Sequence, residues 1–161
     1  MILISLLNRY DLSIFPILLE FKDDVKKHIL IYDSSKIETK KVKEILKVQD
    51  KFKETYNLNY KSYSLKINED SFEDIVHCYE QILKLSNNNY EQLYFINCIN
   101  SLPSCSVILS SKLLQKNGNL ISYENFENGY RIISNKCMKI NTTTNQEDIS
   151  DFLSKTCEFL S

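Results

Sequence analysis

Glycine occurs only twice in the 161 residues, at Gly118 and Gly129, and proline only twice, at Pro16 and Pro103. Dinucleotide and P-loop sites need glycines at G-x-G-x-x-G or G-x-x-x-x-G-K-[ST] spacing, so that backbone can close on phosphate. Neither pattern can be written in this chain. Tryptophan is absent, and the histidines are only His28 and His77. Five cysteines (Cys78, Cys98, Cys105, Cys137 and Cys157) form no C-x-x-C pair and are odd in number. With two histidines they make no zinc ligand set, and they read as reduced cytosolic thiols serving the core. No metal and no cofactor is expected. A one-sided charge is also missing: twenty Lys+Arg stand against twenty-one Asp+Glu. That balance argues against a protein that grips duplex nucleic acid with its whole surface. No apolar run nears the ~18 residues of a membrane span. The apolar start, MILISLLNRYDL, lacks the basic flank and small-residue cleavage site of a signal peptide. The expectation is a soluble cytoplasmic protein.

What the chain does have is apolar material for a sizeable core, at 43% hydrophobic and 11% aromatic residues. Its length suits one domain over residues 1–161. Apolar patterning alternates between strand and helix from the first residue. Ile2 to Leu7 and His28 to Tyr32 are short, nearly continuous apolar runs, as strands buried on both faces should be. Between them, Ile14, Ile17, Leu18 and Phe21 fall at helical spacing within Ser13 to Lys22, with Pro16 tolerable in the first turn. Ser35 and Glu38 have capping-box spacing ahead of a lysine-rich helix reaching about Tyr56. Its inner side is marked by Val42, Ile45, Phe52 and Tyr56.

Tyr60 to Ile67 alternates as a half-exposed strand. Ser71 with Asp74 opens a third helix carrying Phe72, Ile75, Val76, Tyr79, Ile82 and Leu83. Gln92 to Asn97 is a fourth strand, and Pro103 suits the start of a fourth helix with Val107, Ile108, Leu113 and Leu114. Leu120 to Tyr123 and Tyr130 to Ser134 read as a late β-hairpin around Asn128-Gly129. Residues 137–161 form a strand-and-helix tail ending in a helix from Glu147 to Leu160. Four successive βα units predict an α/β fold: a Rossmann-like open, mainly parallel sheet with helices on both faces and a late hairpin.

In such a sheet, ligands sit beyond the carboxyl ends of the strands, near the point where strand order reverses. Those ends are Asn8-Arg9-Tyr10-Asp11, Asp33-Ser34-Ser35-Lys36, and Asn97 through Ser106. The first carries one of only two arginines beside an aromatic ring. The last is polar, uncharged and followed by a helix N-terminus, whose amides and dipole favour an anion. Arginine, tyrosine and an amide-rich turn can together hold a nucleotide's phosphate and base. The same residues also suit a plainer reading, with Ser35 and Ser101 as helix caps and Arg9 as a solvated loop charge. His77 falls on the polar side of its helix. Ser104 and Ser106 lack a histidine partner for a hydrolase triad.

Several of these segments resemble CARF domains, the CRISPR-associated Rossmann fold. Phe15-Pro16-Ile17-Leu18-Leu19 after a short strand and polar loop is similar to that family's opening. HILIYDSSKIETKKVKEIL resembles its second strand, Thr/Ser-bearing turn and second helix. LYFINCINSLPSCSVILSSKLL resembles its fourth strand and the turn where many members carry Asn-Leu/Ile-Thr-Gly-Gly-Thr-Lys. Asn97 matches the leading Asn, Asn100 and Ser101 stand near the Thr-Gly-Gly positions, and Ser104 or Ser106 near the Thr-Lys end. Both glycines of that turn and its lysine are missing here. MKINTTTNQEDISDFL is similar to the tail of some CARF sensors. The resemblance implies a homodimer binding a cyclic oligoadenylate across its two-fold axis, as a sensor in type III CRISPR antiviral defence or as a ring nuclease. A ring nuclease would act without metal, by attack of a ribose 2′-OH on the adjacent phosphate. An effector domain would then be separate, fused or absent, and the strand-end reading together with the resemblance gives ligand-binding roles to Asn8, Arg9, Tyr10, Asp11, Ser34, Ser35, Asn97, Asn100, Ser101 and Ser104. The alternative is a Rossmann-like interaction or scaffold domain with no small-molecule ligand.

Overall fold

A computed structural model describes residues 1–7, 14–96, 102–124, 129–134, 138–142 and 146–156. Its centre is β1 (Ile2–Leu6), a strand buried along its whole length. β1 pairs in parallel with β2 (Lys27–Asp33) on one side and β4 (Leu93–Ile96) on the other. β3 (Lys61–Ile67) lies outside β2, and β5 (Asn119–Glu124) lies outside β4, again in parallel. β6 (Gly129–Ile133) and β7 (Met138–Thr142) then add antiparallel. The seven-stranded order is β3-β2-β1-β4-β5-β6-β7. The predicted Rossmann-like sheet and late hairpin are both present. Strand order reverses between β1 and β4, whose carboxyl ends are Leu6 and Ile96.

Double-sided burial explains the apolar runs of β1 and β2, since helices cover both faces of the parallel part. α1 (Ile14–Glu20), α2 (Thr39–Tyr56) and α5 (Gln146–Thr156) meet through Phe52, whose ring lies 5.0 Å from Phe15 and 5.4 Å from Phe152. α3 (Phe72–Leu85) and α4 (Pro103–Gln115) pack together. Right-handed crossovers place them on the opposite face. β3, at the sheet edge, keeps its alternating half-exposed pattern, with Lys61 and Lys66 exposed. Edge lysines of this kind oppose pairing with another chain.

Scarce glycine has a structural counterpart in asparagine. Among the described residues every positive φ belongs to an asparagine: Asn57, Asn87, Asn88 and Asn117, at 52° to 65°. Asn is the L-residue best suited to the left-handed region, and Asn57 closes α2 there by donating its N–H to the Lys53 carbonyl. Gly118 is kept for close approach. A Cβ there would fall 2.6 Å from Leu113 Cδ2.

Two local expectations change. Ser35 does not cap α2, which begins four residues later with Glu38 as an N-cap making no side-chain bond. Asp33 takes the Ser35 N–H instead, closing a turn over residues 34–36. Phe72, read as part of the inner stripe of α3, is 60% exposed, because it is the first residue of the helix. Val107 is 63% exposed, and the inner positions of α4 are Cys105, Ser106, Leu109 and Leu113. The Ser71 cap of α3 is as expected: its side chain accepts the Asp74 N–H at 3.2 Å.

Candidate functional site

The carboxyl ends of β2 and β3 and the start of α4 are joined by two buried carboxylates. Asp33 is the last residue of β2 and is 3% exposed. Its Oδ1 accepts the Ser35 N–H at 2.7 Å, and its Oδ2 accepts the Glu69 N–H at 2.8 Å. Glu69 follows β3 in the turn before α3 and is 4% exposed. Its Oε1 accepts the Ser104 N–H at 3.0 Å, at the second residue of α4. Burial pushes the Asp33 carboxyl up, and the Glu69 and Ser35 hydrogen bonds more than reverse this, so its pKa lies below the ordinary value. A carboxylate tolerates burial when amides satisfy its lone pairs, and that is the arrangement here. The chain thus clasps three carboxyl-end segments together with its own anions.

Of the sequence-derived site residues, Ser34, Ser35 and Ser104 lie among the described residues, and all three are exposed around this clasp. Asn8, Arg9, Tyr10, Asp11, Asn97, Asn100 and Ser101 lie outside them. Their segments continue directly from β1 and β4, the two strands flanking the reversal of strand order. Sequence reading missed Glu69 and gave Asp33 no role. The available signal was position: each is an acid just past, or at, the carboxyl end of a predicted strand.

A second buried polar group lies deeper, between β1, β2 and α2. His28 is fully buried, with Nε2 2.9 Å from Ser5 Oγ and Nδ1 3.0 Å from Gln49 Nε2. Ser62 Oγ donates to Gln49 Oε1 and accepts from Lys53 Nζ. Burial drives the His28 pKa down to about 4; the Gln49 amide opposes this and the Lys53 ammonium adds to it. The ring is therefore neutral at physiological pH. Ser5 is also fully buried, so this Ser–His contact has no access for a substrate. His77 is exposed, beside Gln81 and Glu80.

A hollow of about 300 Å³ opens at the amino ends of β1 and β4, the opposite end of the sheet, beside Phe21 and Tyr94. Asp24 and Glu91 line it, which suits it poorly to a phosphate. Among the described residues, no group of three or more His, Cys, Asp or Glu is placed to hold a metal ion. None of the described helices is long and apolar enough to cross a membrane.

No protein-family model matches the chain, and no curated protein matches it in sequence. Solved structures do share its fold. Can2 from Sulfobacillus thermosulfidooxidans, in complex with cyclic tetra-adenylate, aligns with 89% of this chain at 11% identity and a TM-score of 0.60. Protein VC1899 from Vibrio cholerae aligns with 89% at 11% identity and 0.60. Enterococcus italicus Csm6, bound to cyclic hexa-2′-fluoro-hexa-dAMP, aligns with 98% at 13% identity and 0.58. The chain spans 37%, 36% and 39% of their respective lengths. The fold implied by the resemblance to CARF domains is the fold this chain has.

Proposed function

We propose that this chain is a CARF-type domain that binds a cyclic oligoadenylate, acting in the cytoplasm as the recognition part of type III CRISPR antiviral defence. The observation that carries the reading is the fold shared with Can2 and Csm6, each solved with a cyclic adenylate bound. The position of the sequence-derived site residues supports it. In sequence Arg9 comes after β1 and Asn97 after β4, and β1 and β4 are the strands that flank the reversal of strand order, where an open α/β sheet receives ligands. Arg9 supplies the charge for a phosphate, and Tyr10 a face for a base.

A ring lying across a two-fold axis calls for a C2 homodimer, because isologous contact sets the same loops opposite each other. α4 offers the contact, with Val107 63% exposed and Ile108 and Leu114 half-buried beside it. An effector, fused or separate, then responds to ring occupancy. The sensor and ring-nuclease forms hold the ring in the same place, and chromatography of the ring after incubation separates them.

Thermal unfolding with cyclic tri-, tetra- and hexa-adenylate tests the reading. A ring at about a hundred times its Kd adds about 2.7 kcal/mol and raises the Tm. Arg9→Ala weakens binding by about 1.5–3 kcal/mol, the range for a charge-assisted hydrogen bond. Arg131→Ala, on antiparallel β6, leaves it unchanged. If no ring of any size moves the Tm at high concentration, the chain is an interaction domain without this ligand.

A further inference from the structure

The start of α4 has few amides to offer a ligand. Its first residue, Pro103, has no N–H, and its N-cap, Leu102, makes no side-chain bond. The Ser106 N–H is already committed to the Leu102 carbonyl at 2.8 Å. The Ser104 N–H points to Glu69 Oε1 at 3.0 Å. Glu69 is held from behind, since its own N–H is fixed at 2.8 Å on the buried Asp33 carboxylate. An N-terminal helix end favours one negative group within its first turn, and the chain supplies that group itself.

We propose that Glu69 is a resident anion at α4: its carboxylate occupies the Ser104 N–H that a ligand phosphate would need, so a bound ring is held without that amide. This rests on the cyclic oligoadenylate reading above and names the part of the site that the ring's phosphates do not use. Glu69 is then a specificity-determining residue, turning phosphate away from one wall of the site by like charge and by occupancy.

The test follows the Ser104 amide resonance of the full, isotope-labelled chain by NMR, with pyrophosphate and cyclic tetra-adenylate as separate probes. In the wild type neither probe moves this resonance, although the ring moves others. In Glu69→Ala the position is vacated: pyrophosphate shifts the Ser104 amide, and the ring binds about tenfold tighter, as one added charge-assisted hydrogen bond gives. Glu69→Gln keeps an acceptor for Ser104 but drops the charge, so it guards against misfolding of the alanine variant and should also bind the ring more tightly. A purely structural role for Glu69 would weaken binding in both variants. Movement of the wild-type Ser104 amide by either probe, or unchanged or weaker ring binding in both variants, overturns the inference. Failure of cyclic tri-, tetra- and hexa-adenylate alike to bind any of the three chains overturns the proposed function. Even then, a wild-type Ser104 amide unmoved by pyrophosphate, but shifted by it in Glu69→Ala, supports the resident anion.

Discussion

The two buried polar groups of this protein solve the same problem in opposite ways. Around His28, between sheet and α2, every hydrogen-bond partner is a side chain, and the titrating ring stays neutral. Around Asp33 and Glu69, at the carboxyl ends of the strands, the partners are backbone N–H groups, and the Asp33 carboxyl is held in its charged form. The difference follows from what each place supplies. Inside a sheet the amides are consumed by the ladders, so a charge would go unmet. Past the strand ends, turn and helix amides are free to meet one. The first arrangement stabilises a core, and the second ties together the carboxyl-end rim of the sheet.

Acid separates the two groups most sharply. The His28 pKa is depressed from 6.5 in the unfolded chain to about 4 in the folded one. Between those values the unfolded state binds more protons, so its contribution is complete above pH 6.5 and is lost as pH falls through about 4. Urea unfolding across this window should show a loss of about 3 kcal/mol. His28→Leu should flatten that slope; a slope that survives the substitution would place the titrating group elsewhere. Asp33, also depressed, contributes stability that is present above 3.8 and is lost only as pH falls below it, a separate and later window.

Asp33→Asn is the matching change at the rim. It leaves one acceptor oxygen for two N–H groups and turns an amide donor towards the other, costing about 2 kcal/mol at neutral pH. It should also abolish the acid loss below pH 3.8 while leaving the His28 window intact. If both windows vanish together, the two groups are coupled and the contrast fails. A smaller effect is expected two residues beyond Glu69. Ser71→Ala removes the exposed cap of α3 and should cost about 1 kcal/mol, independent of pH across both windows.

Much of the fold could be read in the sequence because its signals are local. The continuous apolar runs of Ile2–Leu6 and His28–Tyr32 marked buried strands, and the spacing of Val42, Ile45 and Phe52 marked an inward helix face. The failures were at ends and faces. Phe72 fitted the helical period, yet its place at the first turn exposes it. Ser35 and Glu38 had the spacing of a cap, but a nearer acceptor at Asp33 took the Ser35 amide. Of the candidate site, the sequence pointed to the strand ends, and for Glu69 it offered position alone, with no sign of its partners Asp33 and Ser104.

By itself, then, the chain's patterning determined the alternating elements and the parallel sheet with its late hairpin. Periodicity and turn composition act over a few residues, and right-handed crossovers do the rest. Only the tertiary structure decided which polar groups meet. Asp33 reaches Glu69 across 36 residues, and Glu69 reaches Ser104 across 35. Those partners are chosen by strand order, which brings β2, β3 and the start of α4 to one rim. No local pattern carries that information, because a carboxylate in a turn looks the same in sequence whether it faces water or a buried amide.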